Sequence, residues 1–385
     1  MKKNVFLRGL TIFLCSMGTV FTVGIVFLLL TDFTAISTFG TVLGLVKTQS
    51  LYSIKSGDMI TGAGAGIVSA LRDPYSQYLD PSTWQDLKEK IDAKFNGIGV
   101  YLIQDESGRL IILSPIEGTP AYKAGLKNDD IIITINGEST ASMTQDKAVS
   151  LMKGEPGTEL DLVIYRESEK KQIDFKIIRE SINVPSVHSQ AVKDHPEAGY
   201  VRLNQFSTHS DQELADSINR ILADKKVKGL ILDLRNNGGG DFEVAISISS
   251  LFLDNKDVVS VADADGNKSV RKSTSGGLSL PLVVLINKNS ASASEILAGA
   301  LHDNNRAVLV GEKTYGKGVV QTVFPLPDGG ALKLTTQKYF TPKGTDINKI
   351  GIQPDDPVEN DAASDQDKQL DRAVQVLDQQ LKNGQ

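Results

Sequence analysis

Asn289-Ser290-Ala291-Ser292-Ala293-Ser294-Glu295 sits between an apolar run, Pro281 to Ile286, and an alanine-rich run, Ile296 to Leu301. The first run is short, branched and uncharged, the pattern of a strand covered on both faces. The second continues without a breaker and reads as helix. Small polar residues between them predict a tight strand-to-helix turn, with backbone N–H groups and the positive end of a helix dipole aimed at whatever lies over it. A developing oxyanion would be stabilised there, which makes Ser292 the candidate nucleophile. The same letters, Ser292-Ala293-Ser294-Glu295, also spell a capping box.

A downstream stretch weighs against capping alone. Gly311-Glu312-Lys313-Thr314-Tyr315-Gly316-Lys317-Gly318 places a lysine between two glycines, and Val319-Val320-Gln321-Thr322-Val323 then alternates as a strand does. The stretch falls short of a phosphate-binding loop: Gly318 replaces the hydroxyl that would hold magnesium, and strand follows where helix is required. A serine hydroxyl needs a nearby base. A lysine serves only when neutral, which costs about 4–5 kcal/mol at pH 7 for a free side chain and less for a buried one. An uncharged glutamine suits it as a neighbour, because a carboxylate would hold it protonated.

The S-A-S-A-S-E segment, the Y-G-K-G loop and the following glutamine resemble, in order and spacing, the C-terminal processing peptidases, or tail-specific proteases, over about Gly62 to Pro354. That resemblance implies an α/β core of the ClpP/crotonase type, with Ser292 as nucleophile, Lys317 as general base and Gln321 orienting the lysine. The Asp233-Leu234-Arg235-Asn236-Asn237-Gly238-Gly239-Gly240 loop, which breaks a buried strand, matches the family loop that helps form an oxyanion hole; Gly239 with Ala293 is assigned that role. No cofactor or metal is expected, since no His/carboxylate cluster has ligand spacing. Of the four histidines, His302 lies ten residues after Ser292, about 15 Å along one helix, and the others, His188, His195 and His209, lack a triad context.

The chain has 385 residues and a formal charge of −6, with a pI near 5.4; length suggests two or three domains, and the charge argues against nucleic acid as a partner. Met1-Lys2-Lys3 and Arg8 precede an uncharged run from Gly9 to Leu30, long enough for a signal anchor with the remainder outside the cytoplasm; a cleaved signal peptide is the rival. A bacterial, single-pass membrane location follows as an expectation. Cys15, the only cysteine, lies inside that run, so the remainder is expected to hold without disulfides.

The expected organisation is 1–31 cytoplasmic N-terminus and transmembrane anchor, 32–94 helical region, 95–180 PDZ domain, 181–358 protease core and 359–385 C-terminal helix. The helical region is expected to break at Gly62-Ala63-Gly64-Ala65-Gly66 and at Asp73-Pro74; Leu71 to Tyr78 resembles the family's D-P-Y-S element, which by itself is only a turn. Gly97-Ile98-Gly99-Val100, Pro120 to Leu126 and Asp129 to Gly137 resemble a bacterial-protease PDZ domain, an inserted α+β unit. Gly97, Ile98 and Gly99 would then receive the carboxylate of a peptide that adds a strand. Arg166 is a candidate for communicating PDZ state to the active site. The C-terminal stripe Leu370, Ala373, Val374, Leu377, Leu381 is expected to dock on the core or on a second subunit as a homodimer contact. The expected activity is endoproteolysis of proteins or peptides with free apolar C-termini. A PDZ adaptor that binds without cutting, and a crotonase-like acyl-transfer enzyme, are the rivals.

Overall fold

The computed structural model describes residue 22 and residues 33–105, 107–361 and 366–383. It forms two compact units, Met1–Arg72 and Asp73–Gln385. The first holds helices at 33–49 and Ser56–Ser69. The second helix runs without a break through Gly62-Ala63-Gly64-Ala65-Gly66, against expectation: the interleaved alanines favour helix enough to absorb roughly 1 kcal/mol per glycine.

Among the described residues no helix is long and apolar enough to cross a membrane. This corrects the expected transmembrane helix and single-pass location. The run Gly9 to Leu30 lies outside the described residues save Thr22.

The core of the second unit is a six-stranded sheet ordered Val187–Val192, His195–Leu203, Gly229–Asp233, Leu282–Ile286, Val308–Gly311, Asp356–Pro357. The first pair is antiparallel and the rest are parallel. Strand periodicity divides the central residues between two apolar layers. Leu230, Leu232, Leu282, Val284 and Ile286 face helices Ser210–Leu222, Phe242–Ser250 and Ala293–Asp303, while Ile231, Val283 and Leu285 face helix Lys368–Asn383. The C-terminal stripe therefore docks on this core, through Ala373, Val374 and Leu377.

A second sheet pairs Ala331–Phe340 with Gln77–Leu79, Asp257–Ala262 and Val319–Pro325, all antiparallel, and carries Gln321 and Lys333. The inserted domain is a separate antiparallel sheet ordered Val100–Gln104, Leu110–Pro115, Ile131–Ile135, Glu159–Arg166, Lys171–Ile178, with helices Pro120–Ala124 and Gln145–Met152 over its own core. Lys94–Gly97 and Glu180–Asn183 pair antiparallel at its neck, so the domain enters and leaves the core through one ribbon. Asn136 and Gly137, at φ 49° and 78°, turn the hairpin between Ile131–Ile135 and Glu138–Ser139.

Arg166 is committed inside this domain. Its Nε and Nη2 donate to the two oxygens of Asp130 at 2.7 Å each, and Nη2 also donates to Gly125 O at 3.0 Å. Both side chains are buried. Arg166→Ala leaves the buried carboxyl of Asp130 without its side-chain partner and should lower the stability of the domain by roughly 3–5 kcal/mol. Urea melting checks this, and an unchanged midpoint contradicts it.

Candidate active site

The strand Leu282–Ile286 ends at Asn287, whose amide is zipped to the glycine-rich loop. Asn287 Oδ1 accepts from the N–H of Asn236 at 2.9 Å, and Asn236 Oδ1 accepts from Asn287 Nδ2 and Asn289 Nδ2, each at 2.9 Å. The three serines then divide by environment. Ser290 Oγ donates to Leu234 O at 2.8 Å and Ser294 Oγ donates to Asn237 O at 2.9 Å, both fully buried. Ser292 alone of the three lines a cavity of about 600 Å³. Its backbone is strained, at φ 56° and ψ −116°, just before helix Ala293–Asp303. A non-glycine residue held in such a conformation needs surroundings that over-determine it.

Glu295 provides them. Its carboxylate is fully buried and accepts four hydrogen bonds: from the N–H of Ser292 (2.9 Å), the N–H of Lys317 (2.9 Å), the N–H of Gly316 (2.7 Å) and Thr314 Oγ1 (2.6 Å). The first is half of the expected capping box. The other three tie the serine turn to the lysine loop, a role the sequence reading missed. Position in the first helical turn compensates the buried charge through the helix dipole. Tyr339, also buried, adds a second tie: its hydroxyl donates to Ser292 O at 3.2 Å and makes a close contact with Lys317 O. Burial pushes that phenol well above its ordinary pKa, so it stays a donor.

Lys317, Gln321, Gly238, Gly240 and Ala293 line the same cavity as Ser292. Burial holds the Lys317 pKa below the 10.5 of a free lysine, Lys333 pushes the same way, and Glu295 and Asp73 oppose them. Its Nζ lies over the Tyr75 ring, 5.0 Å from the centroid. Among the described residues Lys317 Nζ has no carboxylate partner, and no hydrogen bond joins it to Ser292 Oγ. Gln321 Nε2 donates to Val319 O (3.3 Å) and Thr335 Oγ1 (3.5 Å), and so does not bond Lys317 here.

In the glycine loop, Gly239 packs directly on the serine turn, at φ 99°. A Cβ there would lie 2.9 Å from Ala293 N. Its N–H donates to Asn237 Oδ1 at 2.9 Å. No hydrogen bond occupies the N–H of Gly240 or Ala293 among the described residues. His302 is paired with Asp303 (3.1 Å) and Asp355 (3.2 Å) at the far end of helix Ala293–Asp303.

Gly97, Ile98 and Gly99 line a second groove, of about 220 Å³, in the inserted domain, together with Leu102, Val149 and Met152. Lys153 stands on its lining and donates to Glu89 Oε2 (2.7 Å) and Asp86 Oδ1 (3.2 Å) of helix Pro81–Asp92. Leu87 and Ile91 of that helix line the Ser292 cavity.

Residues 197–358 match the model for peptidase family S41, and residues 111–166 match that for a PDZ domain. The chain is 41% identical over 312 residues to the carboxy-terminal processing protease CtpA of Bacillus subtilis, covering 80% of this chain and 66% of that one. It is 39% identical over 327 residues to the carboxy-terminal-processing protease of Bartonella bacilliformis, covering 83% and 74%. The solved photosystem II D1 C-terminal processing protease superposes with a TM-score of 0.50 at 29% identity, covering 88% of this chain and 90% of that one. With a PDZ domain inserted before a strained serine turn, the chain belongs to peptidase family S41, the carboxy-terminal processing serine proteases.

Proposed function

We propose that the chain is an endopeptidase that takes the C-terminal tail of protein substrates into the groove at Gly97, Ile98 and Gly99 and cuts by a Ser-Lys acyl-enzyme route. The observation that carries it is the single buried carboxylate of Glu295, which binds the backbones of Ser292 and Lys317 together at one cavity. Ser292 Oγ attacks the scissile carbonyl while its proton passes to neutral Lys317 Nζ. The N–H of Ala293, with an N–H from the Gly238–Gly240 loop, holds the oxyanion. Lys317 then returns the proton to the departing amine, and water hydrolyses the acyl-enzyme with the lysine again as base. Gln321, on the wall of the cavity, takes the role of orienting the lysine once substrate closes the site. The backbone of a tail adds a strand beside Val100–Gln104, and its apolar end fits against Leu102, Val149 and Met152.

The adaptor reading draws on one observation, that no hydrogen bond joins Ser292 Oγ to Lys317 Nζ among the described residues. Hydrogen bonds of this type commonly close only with substrate bound. The deciding assay follows cleavage of an unstructured protein with a free apolar C-terminus, against the same protein with that end amidated. Cleavage of the free-tailed form by wild type and not by Lys317→Met supports the proposal; tail binding without any cut supports the adaptor.

The lysine also fixes a pH dependence. Its folded pKa is below its unfolded value, and the neutral form is the active one. kcat/KM should therefore rise with pH through a limb lying below the ordinary lysine pKa. Over the same window the unfolded chain binds more protons, so this group subtracts stability at neutral pH and subtracts less as pH rises. Lys317→Met should accordingly lose cleavage while melting no lower than wild type at pH 7. A melting temperature several degrees lower contradicts the sign.

A further inference from the structure

Asp73-Pro74-Tyr75-Ser76 is built as more than a turn. Asp73 Oδ1 accepts from the N–H of Tyr75 at 3.1 Å, and Oδ2 accepts from Ser76 Oγ at 2.5 Å. Ser76 Oγ accepts in turn from the N–H of Thr335 at 3.0 Å, and Gln77–Leu79 pairs with Ala331–Lys333. The turn is thereby locked to the sheet that walls the cavity, and the side chain it presents is the ring 5.0 Å from Lys317 Nζ. The other ionisable groups acting on that ammonium are Lys333 from the same sheet, Glu295 from helix Ala293–Asp303 and Asp73 from the turn; the buried phenol of Tyr339 bonds the backbone carbonyl of Lys317. Glu295 spends its carboxylate on backbone N–H groups and Thr314, and Lys333 repels the ammonium. An aromatic face can hold a cation without the full charge that would fix its proton.

We propose that Tyr75 is a positioning residue for the general base, its ring face holding Lys317 Nζ in the cavity wall. The inference rests on the reading of Lys317 as base. The ring's negative face favours the ammonium modestly, against the larger effect of burial. A lysine whose four-carbon stem has a resting place loses less rotamer freedom when it meets the serine proton. Burial, with Tyr315 close by, pushes the Tyr75 phenol above its ordinary value, so the hydroxyl remains neutral while the lysine titrates.

The test compares the pH profile of kcat/KM for wild type, Tyr75→Phe, Tyr75→Leu and Lys317→Met on the free-tailed substrate. Tyr75→Phe keeps the face and should retain the wild-type profile. Tyr75→Leu keeps apolar cover and loses the face: its kcat should fall about tenfold, and its acid limb should move down by about half a pH unit. An unmoved limb in Tyr75→Leu overturns the proposal, and so does a Tyr75→Phe profile as altered as that of Tyr75→Leu, which would assign the role to the hydroxyl. If Tyr75→Leu melts far below wild type, Tyr75→Met, unbranched and equally without a ring, takes its place under the same criteria. Full activity in Lys317→Met would instead remove the base reading itself, separately from the Tyr75 comparison.

Discussion

Ser292→Ala is expected to reduce kcat by about 10⁴- to 10⁶-fold on the free-tailed substrate, with tail binding and melting temperature close to wild type. The size follows from the environment of its neighbours. Ser290 and Ser294 are buried and donate to Leu234 O and Asn237 O, so neither can replace the lost hydroxyl. The fold should tolerate the change because the ties of the turn run through the backbone of residue 292: its N–H bonds Glu295, its carbonyl accepts from Tyr339, and both survive the substitution. Single-turnover cleavage, followed by mass spectrometry of the products, is the measurement. A variant that still cuts at a tenth of the wild-type rate would require another nucleophile.

Glu295→Ala should lower both stability and activity, where Ser292→Ala lowers activity alone. It leaves the N–H groups of Ser292, Gly316 and Lys317 and the hydroxyl of Thr314 without their shared acceptor. Each buried orphan costs about 1–3 kcal/mol, and with partial relaxation and entering water a total loss of roughly 3–5 kcal/mol is expected. Activity should be undetectable even at temperatures where the variant is folded, because the serine turn and lysine loop lose their common anchor. Glu295→Gln should be intermediate, since its carbonyl oxygen accepts at one end while its NH₂ opposes donors at the other. Urea melts paired with kcat at 20 °C separate the two effects. Equal stability in wild type and Glu295→Ala would show that the carboxylate does not hold the two loops.

Much of this was legible because it is local. Pro281 to Ile286 is branched and uncharged, and becomes the buried strand Leu282–Ile286; the small polar residues after it become the strained turn. Gly316-Lys317-Gly318 reads as a turn because two glycines flank a charge, and Gly316 does adopt φ 89°. The inserted domain was readable from its glycines, hairpin and helical turn, each a short-range signal. The Gly62–Gly66 run misled because a glycine is a weak breaker when alanines separate it from the next. The anchor expectation rested on hydropathy in a segment outside the described residues, and the described helices do not supply a span.

Glu295 was seen only as a cap, because a carboxylate at the third helical position looks the same in sequence whether it serves one turn or two loops. Tyr339 reads as an ordinary strand residue, and nothing local assigns its hydroxyl to loops 22 and 47 positions away. Tyr75 carried a faint signal in D-P-Y-S, but a turn motif states how the chain bends and not what its side chain meets. Gly239 illustrates the same limit: three consecutive glycines announce a permissive loop, while the hydrogen bond from its N–H to Asn237 Oδ1 depends on how that loop closes.

The sequence by itself therefore determined the buried strand Leu282–Ile286, the turn into helix that follows it, and the presence of a PDZ domain, since periodicity, turn residues and spacing are properties of neighbours along the chain. Only the tertiary structure decided which groups surround them: that one buried glutamate binds both loops, that Arg166 is spent on Asp130, and that Tyr75 faces the lysine across 242 positions of sequence. These are contacts between distant segments, fixed by the packing of two sheets and their helices, and no local propensity encodes them.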